Sequence, residues 1–600
     1  MNRQECDILC AIQSESYINQ RILSEKTRHS IGVVNRSLKY LIRDGYLGEQ
    51  VQITEKAKRE FDVKAPKNAI ILAAGFGMRM IPLSNEIPKG LVEVKGEPLI
   101  ERTIKQLHQA GINDIYIVVG FMKERYEYLI DEYGVELIVN TEYAAKNNLY
   151  SLKLALPYLS NSYIIPCDIW CRLNPYHAYE LYSWYMVLDA KDRESTVRVN
   201  RKGELVCVTD FSGGNAMLGI AYLLEEQAAK VRDKIESLCK NSRYDGSFWE
   251  EALYENKRMI VQAKVTPASD AVEINTYEQL RELDSSSNHL KSGVLSVIGK
   301  VLEVKQDEIV NITSLKKGMT NRSFIFESKG KKYIMRIPGE GTDKLIDRKK
   351  EADVYRLISG KGICDDPIYI NSENGYKITV FLNHARVCDP LNADDLEKCM
   401  EKLRCFHELG LEVDHEFDLF EQIEFYESLW NGEKSVYKDY IRTKTNVLTL
   451  KNYIDKHIAK KVLTHIDAVP DNFIFADNSL EYGNGKEHLQ EEIRLIDWEY
   501  AGMQDPHVDI AMFCIYSLYN QLQVDRLIDI YFKGKCPREI RVKIYCYIAV
   551  CGLLWSNWCE YKRGLGVEFG EYSLRQYRYA KEYYKIAREE IAWLKEGEDA

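Results

Sequence analysis

Apolar residues recur along this chain in three different rhythms. Up to about residue 64 they fall at helical spacing. NQRILSEKT (Asn19–Thr27) predicts a short helix, and Ser30 stands where it can cap a second, SIGVVNRSLKYLIRDG. Val34, Leu38, Leu41 and Ile42 share one face of that second helix, and Gly45 ends it. ITEKAKREF then predicts a closing strand and helix. From Asn68 the run AIILAAG opens an alternation of strands and helices that lasts to about Leu283. Within it, Asp114–Phe121 and Val135–Asn140 predict parallel strands joined through a helix. The polar string DSSSNH (Asp284–His289) reads as a connector. Beyond it, ITSLKKGMTNRSFIFES and KKYIMRIPG predict paired strands, and long helical segments follow to the end. There is no internal repeat.

Composition narrows the picture. At 600 residues the chain exceeds one hydrophobic core, and 45% hydrophobic with 29% charged residues suits soluble globular domains. The rhythms divide it into 1–64, 66–288 and 289–600. A net charge of −10 argues against coating nucleic acid or an anionic membrane as a whole. It leaves room for one small DNA-reading module. Fifteen cysteines show no C-x-x-C pair; Cys6/Cys10 and Cys167/Cys171 lie closest, which predicts reduced, mostly buried thiols. MNRQECDILC holds no apolar signal core and no stretch is long enough to span a bilayer, so the expectation is a cytoplasmic protein.

The outer face of the second helix carries Asn35, Arg36, Lys39 and Arg43, with Arg28 just before it, a set suited to phosphate and base contacts. The pattern resembles the winged helix-turn-helix domains of bacterial regulators, which implies DNA as a partner of residues 1–64. A docking or dimerisation domain with a solvated basic face is the alternative.

Candidate chemistry begins at LAAGFGMR (Leu72–Arg79), followed by PKGLVEVKGEPLI (Pro88–Ile100). A buried strand, Leu72 and Ala73 at its end, runs into a turn where Ala74, Gly75 and Gly77 let backbone N–H groups approach a triphosphate. Arg79 and Lys89 supply positive charge for departing phosphates. The G-x-G-x-x-G spacing of dinucleotide folds is absent. This string resembles the nucleoside-triphosphate transferase superfamily over roughly residues 68–283. The resemblance implies CTP or another NTP bound by Leu72, Ala73, Ala74, Gly75, Gly77, Arg79 and Lys89, with Lys89 and Arg79 catalytic. Asp168, in YIIPCDIW, falls just past a strand, where such sheets gather ligands; it is expected to hold Mg²⁺, or else to cap the following turn. Asn275 in VEINTYEQL stands where many relatives have aspartate, with Glu273 as a nearby substitute. NTEYAAKNNLYSL and YDGSFWEEAL are similar to cytidylyltransferases that make CDP-choline in bacterial surface-glycan pathways. Trp170, Trp249 and Tyr143 become candidates for contact with the quaternary ammonium of phosphocholine, although each taken alone suits a core.

The second half carries LTHIDAVPDNFIF (Leu463–Phe475) and LIDWEYAGMQDPHVDIA (Leu495–Ala511). Asp467 and Asn472 have the spacing of a protein-kinase catalytic loop. Asp467 is the expected base, and Asn472 and Asp497 the expected Mg²⁺ ligands. Upstream, Gly318, Thr320 and Asn321 are placed to close over ATP phosphates, and Arg336 stands where a kinase has its strand lysine, with Glu351 as partner. Lys332 reads as a surface charge. Trp555 and Trp558 share one side of a helix, and with Glu499 and Tyr500 would box a trimethylammonium head; Trp249 is the corresponding candidate upstream. Tyr572 and Tyr577 are further wall candidates, and Asp505 and Asp509 are read as braces. The segment resembles choline kinases over roughly residues 295–590.

Together the resemblances imply a multidomain α/β and α+β chain: a small winged helix, a Rossmann-like nucleotidyltransferase domain and a bilobal protein-kinase-like domain. They imply two steps, choline to phosphocholine with ATP and phosphocholine to CDP-choline with CTP, feeding phosphocholine decoration of bacterial surface glycans. Rival readings are the same chemistries on ethanolamine or a sugar phosphate, and a DNA-binding regulator whose enzyme domains serve as sensors.

Overall fold

The computed structural model describes the chain except residues 15–18, 84–85, 209–212, 288–289, 291, 316–320, 340–341, 343–344, 431, 478–490, 565–568 and 599–600. It forms two compact units, Met1–Ser296 and Val297–Ala600. Among the described residues no helix is long and apolar enough to cross a membrane. All fifteen cysteines are unpaired.

The first unit opens with helices α1 (Arg3–Ser14), α2 (Gln20–Thr27), α3 (Ile31–Arg43) and α4 (Glu55–Lys64). Asn19, Ser30 and Thr54 cap the last three, each side-chain oxygen accepting from a first-turn N–H. A single antiparallel bridge, Leu47 to Ile53, makes the wing. Val34, Leu38 and Leu41 are buried and Ile42 half-buried, whereas Arg28, Asn35, Arg36, Lys39 and Arg43 are exposed. The helices rest against the sheet that follows. Phe61 meets Tyr179 edge to face at 5.2 Å, and Leu181 enters the small helical core. Tyr182 donates to Asp7 at 2.7 Å, Asn161 to the Val63 carbonyl at 2.8 Å, and Tyr222 to the Lys64 carbonyl at 2.5 Å.

That sheet has ten strands. Its parallel part places β1 (Asn68–Ala73) between β2 (Ile115–Val119) and β4 (Ser162–Pro166), with β3 (Glu136–Val139) outside β2. β2 and β3 are parallel with a helix between them, as the apolar rhythm predicts. Past β4 the order turns antiparallel, because a long strand, Gly214–Leu223, pairs β4 and Trp184–Asp192 in the opposite sense. Two apolar layers cover the two faces. The string from Asp284 is partly tied down: Asp284 accepts from Lys95 N–H at 2.6 Å, and Ser287 donates to the Glu93 carbonyl at 2.9 Å.

In the second unit a five-stranded antiparallel sheet includes Asn321–Ser328 and β5 (Lys331–Pro338), with α5 (Arg348–Ile358) beside it. Strand Val462–Thr464 pairs with Gly502–Gln504, and Phe473–Asp477 with Glu491–Leu495. These pairings bring the segments around Asp467 and Asp497 together. Helices α6 (His507–Tyr516), α7 (Arg538–Gly564) and α8 (Glu571–Glu598) enclose one large apolar core beside them.

Candidate active sites

In the first unit a cavity of about 1160 Å³ opens at the carboxyl ends of β1 and β4. Leu72, Ala74, Gly75, Gly77, Arg79, Lys89, Asp168 and Asn275 line it. Ala73 is buried in the strand just behind. Gly77 takes a left-handed φ of +61°, and a Cβ there would press within 3.4 Å of the Lys89 side chain. Asp168 follows β4 directly. A short antiparallel pair, Ile169–Cys171 with Ala271–Glu273, carries the later segment back beside it. Thr276 and Gln279 then form a capping box, and the Asn275 N–H donates to Gln279 at 2.7 Å. Asn275 is thereby fixed opposite Asp168, and the Lys89 ammonium lies between them, bonded to Asp168 Oδ2 and, at 2.7 Å, to Asn275 Oδ1.

Asp168 Oδ1 is buried without a hydrogen-bond partner, and Asn275 presents a carbonyl oxygen beside it. Two hard oxygen donors around a point now filled by an ammonium fit a divalent cation that completes its shell with phosphate. Glu273 lies in the same cavity, its carboxyl raised by burial and by the neighbouring Asp168.

The aromatic expectations divide. Tyr143 lines the cavity, its ring 5.1 Å from that of Phe76. Trp249 does not reach it: the ring is fully buried in the core beneath, 6.1 Å from Tyr185. Trp170 is also buried, its face already covered by Lys95 at 4.3 Å and Arg102 at 5.5 Å. The residue that pattern reading missed is Glu250. It lines the cavity, accepts from Tyr185 at 3.0 Å, and leaves Oε2 buried without a partner. Burial pushes its carboxyl up to about 7.

In the second unit Asn472 donates to both the carboxylate and the carbonyl of Asp467, at 3.0 and 2.9 Å. The amide oxygen is left for another partner. Asp509 holds the turn from α6, accepting from the N–H of His465 at 3.0 Å and of Ile466 at 2.7 Å. Asp505 is engaged elsewhere, paired to Lys543 at 2.5 Å on α7. Ile466 and Asp497 both take left-handed φ, +69° and +61°. For a β-branched residue that is a strained backbone, and it lies directly beside Asp467. Burial and the charges of Asp497 and Glu499 raise the Asp467 carboxyl well above the usual range. Asp497 and the free oxygen of Asn472 are donors suited to a divalent cation.

Arg336 on β5 forms a two-pronged pair with Glu351 of α5, one prong at 3.0 Å, and reaches to 3.9 Å from Asp497. Burial opposes the charge on both, and their pairing outweighs it. Gly318 and Thr320 lie outside the described residues. Asn321 donates to Glu499 at 3.0 Å, and Arg348 stands 3.3 Å from the same oxygen. Glu499 is thus engaged with Asn321 and Arg348 and is not the free counter-charge expected in the aromatic box. The box itself is a chain of rings: Tyr500 to Trp555 at 5.7 Å and Trp555 to Trp558 at 5.4 Å meet edge to face, and Trp558 to Phe569 at 5.3 Å is tilted. Tyr572 continues it past Phe569 at 6.5 Å. Tyr577 does not; it stacks on Tyr437 at 3.8 Å and donates to Asp439.

Three family models match: a winged helix-turn-helix DNA-binding model over residues 1–47, a MobA-like NTP transferase domain over 69–230, and choline/ethanolamine kinase over 312–526. The chain is 32% identical over 220 residues to a choline-phosphate cytidylyltransferase of Streptococcus pneumoniae, covering 36% of this chain and 96% of the relative. It is 30% identical to a 2-aminoethylphosphonate cytidylyltransferase of Lancefieldella rimae, covering 36% and 88%. A crystal structure of choline kinase LicA from Streptococcus pneumoniae aligns at 28% identity and a TM-score of 0.42, covering 49% of this chain and 99% of that one. The chain belongs to the cytidylyltransferases of the MobA-like NTP transferase family, and it joins that domain to a choline/ethanolamine kinase domain behind a winged helix-turn-helix.

Proposed function

We propose that the chain carries out two consecutive steps: phosphorylation of choline by ATP, then transfer of CMP from CTP to the phosphocholine formed, releasing pyrophosphate. One observation carries the reading. Each unit sets a phosphate-transfer constellation beside aromatic side chains, as a trimethylammonium group, which donates no conventional hydrogen bond, requires.

In the kinase step Asp467 takes the proton of the choline hydroxyl as its oxygen attacks the γ-phosphorus and the bond to ADP breaks. Arg336, fixed by Glu351, orients the phosphates of ATP. Tyr500, Trp555 and Trp558 hold the ammonium end and exclude water. In the cytidylyl step a phosphocholine oxygen attacks the α-phosphorus of CTP. The turn at Gly75 and Gly77 cradles the triphosphate through backbone N–H groups, and Lys89 and Arg79 take up the charge of the departing pyrophosphate. Glu250, with Tyr143, receives the ammonium. Both families use divalent cations, and here Mg²⁺ would neutralise developing phosphate charge, held by Asp168 and Asn275 in one site and by Asn472 and Asp497 in the other. The exposed face of α3 is assigned to DNA, and the protein to the cytoplasm.

The test incubates purified protein with Mg²⁺, ATP, CTP and either choline or ethanolamine, and identifies products by mass. CDP-choline from choline, with little product from ethanolamine, is expected. A second reading, 2-aminoethylphosphonate as the cytidylyl acceptor, draws on the relative that acts on it. Its arm replaces choline and ATP by that phosphonate; a faster CMP transfer than to phosphocholine would make it the acceptor. A Trp555→Ala variant should raise the choline KM about tenfold or more, and an unchanged KM in a folded variant removes the box.

A further inference from the structure

The face of α7 that carries Trp555 and Trp558 does not end with them. Lys562 lies seven residues beyond the first and four beyond the second, so at about 100° per residue all three form one stripe. The lysine is only 6% exposed, and its ammonium rests 5.6 Å from the centre of the Trp558 ring. No carboxylate among the described residues pairs with it. The one acid that acts on it at a distance is Glu499, which Arg348 and Asn321 already hold. A buried ammonium without a counter-ion is costly, and an aromatic face is a weak substitute for one. The box is also closed. Trp555 and Trp558 are 6% and 3% exposed and meet edge to face, with Phe569 tilted against Trp558.

We propose that Lys562 occupies, in the free enzyme, the position over Trp558 that the trimethylammonium group takes in the complex, and that choline binds by displacing it. This rests on the aromatic box as the choline site. Lys562 is then a positioning residue: it keeps the rings apart from solvent and supplies their cation until substrate arrives. Its four-carbon stem lets the ammonium swing from the ring to water without moving the helix. The substrate gains the ring face, and the lysine regains its hydration. The net affinity for choline is the difference between two cations competing for one aromatic surface.

The test uses the full chain and choline chloride. Lys562→Met keeps the stem and removes the charge, and should bind choline about tenfold more tightly, seen by titration calorimetry. Lys562→Arg, which cannot lose its charge and stacks well on tryptophan, should bind it more weakly. Direct displacement is read by reductive methylation with labelled formaldehyde and peptide mass. Lys562 should be protected in the free protein and modified at saturating choline, a change that a purely structural lysine would not show. Unchanged or weaker choline binding by folded Lys562→Met, or continued protection of Lys562 at saturation, overturns the proposal. Trp558→Ala separates the two failures: if it leaves choline affinity unchanged, the box reading itself is wrong, whatever Lys562 does.

Discussion

The two active sites solve the same problem, holding a phosphate donor beside an ammonium compound, with opposite degrees of openness. The cytidylyltransferase site is a cavity of about 1160 Å³ at the strand ends, with its nucleotide turn, its oxygen donors and Glu250 all reachable from one space. In the kinase unit the turn at Ile466, beside the proposed base Asp467, is left-handed and braced by Asp509, and the aromatic rings pack on one another. The first has room for a large ligand pair; the second, on the proposed reading, must part its rings to admit a small one. In each a lysine stands beside the place of a cation: Lys89 between the proposed metal donors, Lys562 over Trp558.

The sharpest way to break the comparison is to silence one site and watch the other. Asp467→Asn should lower choline phosphorylation about a thousandfold, since a positioned general base contributes that order. CMP transfer to added phosphocholine, followed by pyrophosphate release, should be untouched. Loss of both activities would mean the sites depend on each other. Lys89→Ala should slow CMP transfer by about a hundredfold or more and spare the kinase. Because Lys89 bridges Asp168 and Asn275, the variant should also bind Mn²⁺ more tightly than the parent when CTP is absent, as read by the resonance of the free ion.

Glu250→Gln should raise the phosphocholine KM about tenfold, the range of a lost charge contact. Its pH dependence has a definite sign. Burial raises the Glu250 carboxyl to about 7, so the ionised form that pairs with an ammonium accumulates as pH rises through that value. KM should therefore fall between about pH 6.5 and 8 in the parent and stay flat in the variant. The smallest effect belongs to Thr276→Ala, which breaks the capping box behind Asn275 and should cost about 1 kcal/mol in a denaturant melt.

The grouping of Leu72–Arg79 with Lys89 in one cavity, and of Asp467 with Asn472, was legible in the sequence because the chemistry proposed for them demands short, contiguous spacing. Orientation within a turn was not. Trp249 and Glu250 are neighbours in one short helical turn, and the tryptophan faces the core while the carboxylate faces the cavity. Glu499 and Tyr500 part in the same way, one towards Arg348 and the other towards Trp555. Tyr572 and Tyr577 are five apart on α8, roughly 140° around the helix, so only one continues the row of rings. Trp170 was indistinguishable by type from a ligand-facing tryptophan, and its two cations come from elements distant in the chain. The turn to antiparallel pairing beyond β4 was equally hidden, since a buried strand has the same apolar pattern in either direction.

The attachment of the helical domain to the sheet has a consequence for anyone dissecting the protein. A fragment begun at Pro66 would strip the cover from Tyr179 and Leu181, and deprive Tyr182, Asn161 and Tyr222 of the acceptors that residues 7, 63 and 64 provide. Such a piece would carry a sticky apolar scar and three orphaned donors on its surface, an invitation to precipitate. The natural unit of expression for the cytidylyltransferase therefore includes its helical amino-terminal domain, and insolubility of the shorter piece would report a lost shoulder, with no bearing on the cavity at the strand ends.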